Sequence, residues 1–376
     1  MRERIYLSSP QVTETEIEYV TAALRSGWVA PLGPDVDAFE AEMCAFANIG
    51  HAVALSSGTA ALHLGLLALG VNPGDDVIVP TLTFAATAFA VHHAGARPVF
   101  LDSEEQSWNL DPQLLDEVLS ARAASGNLPA AIITVDLFGR TCDYAAITQI
   151  AAKFEVPILE DAAEALGSSC NGVHAGAFGR AGIFSFNGNK VMTTSGGGMF
   201  VTDDPALASR VRYLSTQARE PLPWYEHKEI GYNYRLSNVL AALGRGQLSR
   251  LDEMITRRVA NRAQYALSLG GIDGVAVVMD PPWGPGNAWL TNIRFDSALH
   301  PGAPEAIRLA LETLNIESRP VWKPMHQQPV FAAAESHLTG AADRIFADGL
   351  CLPSGPNVTQ ADIELVCESI IGVLHP

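Results

Sequence analysis

The stretch AVALSSGTAALHLGLLALGVNPGDDVIVPTLTFAATAFAVHHAGARPVFLD (52–102) decides the fold class. Three short runs, AVAL (52–55), DVIVP (76–80) and PVFLD (98–102), are separated by two segments of helical length, GTAALHLGLLALG and FAATAFAVHHAG. The runs are continuously apolar rather than alternating, the pattern of parallel strands buried on both faces. The same rhythm continues. PVFLD leads into PQLLDEVLSARAA (112–124), AAIITVD (130–136) into YAAITQIAAKF (144–154), and PILED (157–161) follows. Repeated strand–helix alternation predicts an α/β domain with a mostly parallel central sheet, and functional groups at the carboxyl ends of its strands.

Beyond this region SNVLAALGRGQLSRLDEMITRRVANRAQYALSLG (237–270) reads as one long helix, after which the texture changes. DPPWGPGNAW (280–289) is loop, and LTNIRF, EAIRLALETLN, ESRPVW and TQADIELVCESIIGVL form a smaller α+β unit. The expected division is a large domain with an N-terminal arm (1–250) and a small C-terminal domain (251–376). There are no internal repeats or low-complexity tracts.

The 376 residues are 48% hydrophobic and only 17% charged, so much of the chain is interior. The formal net charge of −17 argues against a nucleic acid or an anionic membrane surface as partner, since either needs a basic face. MRERIYLSSP holds no apolar run of signal-peptide length, and no stretch reaches a membrane span of about 18 apolar residues. Five widely spaced cysteines without a C-x-x-C read as reduced core thiols. A soluble cytoplasmic protein is the expectation. The adjacent His92 and His93, and the lack of HExxH or Cys/His spacing, give no metal site.

Four features carry chemistry. Lys190 stands alone in SFNGNKVMTTSGGGMFVT (185–202), between apolar runs and among glycines and small hydroxyl residues. Such surroundings favour a neutral amine able to act as nucleophile or base. LSSGTAALHLGL (55–66) ends a strand and starts a helix at once, so its first N–H groups are placed to hold a phosphate; Ser57 or Thr59 would also serve as a plain helix cap. In PILEDAAEALGS (157–168), Glu160 and Asp161 close an apolar strand, where a carboxylate needs a partner such as a protonated ring nitrogen. Asp161 as a helix N-cap, with Glu164 completing a capping box, is the structural alternative. Phe84, just after the DVIVP strand, could cover a planar ring or simply pack in the core. An amine-bearing lysine, a phosphate pocket, a strand-end aspartate and an aromatic lid together match the requirements of pyridoxal phosphate.

At this point the sequence resembles the DegT/DnrJ/EryC1/StrS group of pyridoxal-phosphate-dependent nucleotide-sugar aminotransferases, of fold type I. The likeness runs through SGWVAPLGPDVDAFE (26–40), SSGTAALHLGLLALGVNPGDDVIVPTLTF (56–84), EDAAEALGS (160–168), SFNGNKVMTTSGGGM (185–199), GYNYRLSNVLAALGRGQLSRLDE (231–253) and SRPVWKPMHQQPVF (318–331). It implies Lys190 as the Schiff-base lysine, Asp161 as partner of the pyridine nitrogen, and Gly58, Thr59 and Ser185 at the phosphate. It also implies Phe84 stacked on the ring, and Glu164 near the cofactor's 3-hydroxyl, where many members carry Gln or His. Asn233 in GYNYRL would reach the neighbouring subunit's cofactor, which makes the active unit a homodimer with shared sites. Trp28, Asn187, Arg319, Lys323 and His326 are the implied contacts to the sugar nucleotide.

EDAAEALGS, NGNK and WKPMH together look most like the branch that aminates C4 of UDP-linked 4-keto-6-deoxy sugars, as in bacillosamine synthesis, with glutamate as donor. Amination at C3, a dTDP- or GDP-linked ketosugar, and a non-catalytic regulatory protein that kept the cofactor are the alternatives. Sugar dehydration by relatives with His in place of the lysine is opposed by Lys190 itself.

Overall fold

The computed structural model of the chain describes residues 3–375. The runs read as strands are strands: His51–Leu55, Asp76–Pro80, Arg97–Leu101, Ala131–Val135 and Ile158–Asp161. Ala181–Ser185, Gly198–Thr202 and Ser336–His337 join them in one sheet of 8 strands. From edge to edge the order is His51–Leu55, Gly198–Thr202, Ala181–Ser185, Ile158–Asp161, Ala131–Val135, Asp76–Pro80, Arg97–Leu101, Ser336–His337. Gly198–Thr202 is antiparallel to both its neighbours, and every other pair is parallel.

The continuous apolar runs are explained by burial on both faces. Val77 and Val79 belong to one hydrophobic cluster and Ile78, between them, to another; Ile133 and Ile132 divide in the same way. Helix Gly58–Ala68 covers one face and is buried nearly all round. Gly65 is the contact point, since a Cβ there would lie 3.0 Å from Leu159 Cδ1. This close approach aims the helix N-terminus at the strand ends.

A second sheet of 4 antiparallel strands is ordered Val275–Val277, Thr291–Phe295, Gly349–Leu352, Arg319–Pro320. It forms its own core with helices Leu251–Leu269, Ala303–Thr313 and Gln360–Leu374. The proposed division near residue 250 is crossed by side chains in both directions. Ile5 enters the smaller core through a parallel bridge to Ile316, while Val321, Met325 and Phe331 pack in the larger one.

The segment read as one helix over 237–270 is two, Asn238–Leu248 and Leu251–Leu269. Arg250 stands between them with ψ near 7° and anchors the junction to Glu16 at 3.0 Å and to Gln11 at 3.0 Å. The break lets the first helix lie on helix Glu14–Ser26, with Gly246 against the Glu16 backbone, while the second turns toward the small sheet. Among the described residues no helix is long and apolar enough to cross a membrane, and no cluster of His, Cys, Asp and Glu could hold a metal ion. All five cysteines are free thiols, four of them buried.

Candidate active site

A cavity of about 1080 Å³ opens at the carboxyl ends of the strands. One wall comes from the large sheet: Ser57–Thr59, Phe84, Asp161, Glu164, Ser185 and Asn187–Lys190. The facing wall is built from Tyr6–Pro10, Trp289, Glu317 and Arg319–Lys323. Gly58, Thr59, Phe84, Asp161, Glu164, Ser185, Asn187, Lys190, Arg319 and Lys323, picked from sequence, thus meet in one space.

Lys190 lies in the loop between strands Ala181–Ser185 and Gly198–Thr202. Its surroundings are not only apolar, as the sequence suggested. Nζ is 3.0 Å from Glu164 Oε1 and 4.2 Å from the centroid of the Trp289 ring. A carboxylate and an aromatic face both attract a cation. The loop is braced from behind, where the Asn189 carbonyl accepts hydrogen bonds from Trp289 Nε1 at 2.7 Å and Ser8 Oγ at 2.8 Å.

Asp161 ends strand Ile158–Asp161, and no helix follows; residues 162–168 are two short turns joined by irregular chain. The helix-cap reading of Asp161 and the capping box with Glu164 are therefore corrected. One Asp161 oxygen accepts the Thr87 hydroxyl at 2.8 Å and the other the Ala163 N–H at 3.2 Å. Burial pushes the Asp161 carboxyl above the ordinary range, against the Thr87 hydrogen bond and the Lys190 charge. Burial does the same to Glu164, opposed by the Lys190 charge and the Phe138 N–H.

The start of helix Gly58–Ala68 faces the same space. Ser57 caps it by accepting the Ala60 N–H at 3.0 Å, so the cap reading holds for Ser57. The Gly58 and Thr59 N–H groups precede the first intrahelical bond and remain directed at the cavity end of the helix. A Cβ on Gly58 would lie 2.9 Å from Ser185 Cβ, so only glycine lets helix and strand approach this closely. Phe84 stays 56% exposed although it lines the cavity, with Trp322 tilted against it at 5.3 Å. A bare aromatic face, a helix N-terminus beside a serine, a buried carboxylate and an amine fit a phosphorylated pyridine aldehyde.

Three expected residues lie outside this cavity. His326 is turned away, its Nδ1 2.7 Å from Thr81 Oγ1 and its Nε2 3.0 Å from Asp343 Oδ1. Trp28 is half-exposed, and its carbonyl accepts Asn238 Nδ2 at 2.9 Å. Asn233 is exposed on a segment bridged to Thr216, while its neighbours Tyr232 and Tyr234 pack inward on His63. Sequence reasoning did not single out Thr87, Trp289 or Trp322. Thr87 lies one helical turn after Phe84, a spacing that puts both on one face. The two tryptophans had no local signal, because only the folding of the loops brings them to Lys190 and Phe84.

A sequence profile of the DegT/DnrJ/EryC1/StrS aminotransferase family matches residues 10–371. EpsN of Bacillus subtilis (strain 168), named as a pyridoxal phosphate-dependent aminotransferase, is 44% identical over 379 residues, covering 100% of this chain and 97% of EpsN. GDP-perosamine synthase of Caulobacter vibrioides (strain ATCC 19089 / CIP 103742 / CB 15) is 35% identical over 372 residues, covering 99% of this chain and 98% of the synthase. The crystal structure of DesI in the presence of its TDP-sugar product matches with a TM-score of 0.91 at 28% identity, over 100% of this chain and 94% of DesI. The chain belongs to the DegT/DnrJ/EryC1/StrS aminotransferase family and has the fold of the type I enzymes.

Proposed function

We propose that this family member moves the amino group of glutamate to C4 of a UDP-linked 4-keto-6-deoxy sugar, in the cytoplasm, as a homodimer with shared sites. Its cofactor is pyridoxal phosphate, which when bound supplies a carbonyl carbon that carries the amino group and a ring that accepts electrons. The observation that carries the reading is the meeting of Lys190, Glu164 and Asp161 in one cavity with the N-terminus of helix Gly58–Ala68.

Each group has a role that follows from its position. Gly58 and Thr59 N–H with Ser185 would hold the phosphate, Phe84 would cover the ring, and the Asp161 carboxylate would keep the ring nitrogen protonated. Lys190 Nζ is the base that removes the α-proton of glutamate and returns a proton to the sugar carbon. Lys323, exposed at the cavity rim, supplies local positive charge for the diphosphate on a chain of net charge −17, and Arg319, paired there with Glu317 at 2.8 Å, adds hydrogen-bond donors. Asn187 faces the same space. His326, paired with Thr81 and Asp343, orients the turn that carries Lys323 rather than touching substrate.

The large apolar residues Trp224, Tyr225 and Ile230, exposed on the loop before Asn233, support a subunit interface there. Asn233 and Trp28 would then act on the partner's site. Five free thiols support a reducing compartment.

A second reading, a GDP- or TDP-linked ketosugar, is favoured by the names of the perosamine synthase and DesI. Incubation with glutamate and a panel of UDP-, GDP- and dTDP-linked 3-keto and 4-keto sugars, with NMR analysis of products, decides between them. A 4-amino product from the UDP-sugar is expected; a 3-amino product or preference for another nucleotide overturns that part of the reading.

A further inference from the structure

The ammonium of Lys190 and the carboxylate of Glu164 meet with side chains only 12% and 4% exposed. Glu164 is held from every side. Its Oε2 accepts the Phe138 N–H at 2.8 Å and its carbonyl accepts Asn287 Nδ2 at 2.7 Å. Phe138 itself takes φ 55° within the turn Leu137–Gly139, a left-handed conformation that a bulky residue keeps only when its surroundings impose it. The backbone N–H needs only an oxygen acceptor, and glutamine would supply one. What glutamine lacks is a second protonation state.

Asp161, the other buried carboxylate of the cavity, raises the cost of charge at Glu164, and Lys190 is the cation that offsets it. Once the lysine amine is neutral or covalently engaged, that offset is gone. Loss of the lysine proton to solvent would leave the Glu164 carboxylate buried without its cation. We infer that Glu164 Oε1 takes the ammonium proton of Lys190 when the amine becomes a nucleophile, and returns it when the amine is freed. The Nζ–H bond breaks and an Oε1–H bond forms over the 3.0 Å contact, so an ion pair becomes a neutral pair and no charge leaves the cavity. This rests on the reading of Lys190 as the residue that attaches the cofactor.

Reconstitution of the cofactor-free protein with pyridoxal phosphate tests it. Infrared difference spectra, loaded minus cofactor-free, are expected to show a glutamic acid C=O band that moves when glutamate carboxyls are isotope-labelled. Glu160 and other carboxyls unchanged by loading cancel. Glu164→Gln should lack the band and release one more proton per site to the buffer on loading than the native protein does. Absence of the labelled band in the native protein overturns the inference, as does its survival in Glu164→Gln. The native spectrum alone decides if the variant does not fold. Borohydride reduction and peptide mapping of the same samples reads the premise separately. Fixation at Lys190 without the acid band refutes the role of Glu164 alone, whereas fixation at another lysine refutes both.

Discussion

Asp161 sits where a carboxylate is expensive, at the end of a strand buried on both faces, and only a hydroxyl, one N–H and the nearby lysine charge compensate it. Asp161→Asn keeps the shape, and its one oxygen can accept the Ala163 N–H while its amide donates to the Thr87 hydroxyl, but it cannot hold a ring nitrogen protonated. Loss of a charge-assisted hydrogen bond of about 1.5–3 kcal/mol predicts a roughly ten- to hundredfold slower half-reaction with glutamate, with unchanged folding. Single-turnover spectroscopy with glutamate measures this, and native-like turnover would reduce Asp161 to a structural turn residue. Lys190 and Asp161 were legible because charge inside apolar sequence is costly and demands a reason. The Trp289 contact was not legible, because a tryptophan in a Pro/Gly loop carries no periodicity that says what it will cover. His326 shows the converse: its neighbours in WKPMH reach the cavity, but its own imidazole is claimed by Thr81 and Asp343.

Elements are where most of the fold could be read in advance. Five strands, and the helices after the first four, matched their apolar runs because both-face burial imposes a continuous pattern. Strands Ala181–Ser185 and Gly198–Thr202 were hidden in Gly/Ser-rich sequence, whose small residues serve close packing instead. A Cβ on Gly198 would fall 2.5 Å from the Gly58 nitrogen, and one on Gly58 would meet Ser185. Gly58→Ala should therefore spread helix and strand at the phosphate end, although alanine is the better helix former by roughly 1 kcal/mol in a helix interior. The expected result is at least tenfold weaker cofactor binding, measured by equilibrium titration, with little change in the melting temperature of the cofactor-free protein; intact affinity would mean the phosphate lies elsewhere. Beneath the same strands, Asp136 and Glu160 lie near each other in full burial, with the Tyr144 hydroxyl and Cys142 N–H on Asp136 Oδ1. Burial first, then the Glu160 charge, holds Asp136 well above the carboxylate range. Its stabilising contribution is thus complete below the unfolded value of about 3.9 and declines by up to about 1.4 kcal/mol per pH unit as pH rises toward the folded value. Asp136→Asn, a permanently neutral donor, should escape that decline. Its melting temperature relative to the native protein should rise with pH across the weakly acid to neutral range, and a gap independent of pH would contradict a proton retained on Asp136.

At the scale of the whole molecule this chain supplies two facing walls of the cavity, and Asn233 and Trp28, expected at the cofactor and the sugar nucleotide, lie outside it. Asn233 stands on the outer side of a segment whose tyrosines face inward, next to a loop that leaves Trp224 60%, Tyr225 79% and Ile230 86% exposed. Apolar surface of that kind is costly to leave in water and is naturally buried by a second copy. If Asn233 serves the partner's phosphate, Asn233→Asp places a negative charge against it and disables the partner's site. Lys190→Ala disables its own. Neither homodimer should be active, yet a mixed dimer pairs the intact Lys190 of one chain with the intact Asn233 of the other. Unbiased exchange makes half the dimers mixed, each with one of two sites whole, so activity should recover to roughly a quarter of the native value per site. Co-expression with two different affinity tags isolates the mixed dimers for assay. No activity in such purified mixed dimers would show that Asn233 works on its own chain's site, or on none.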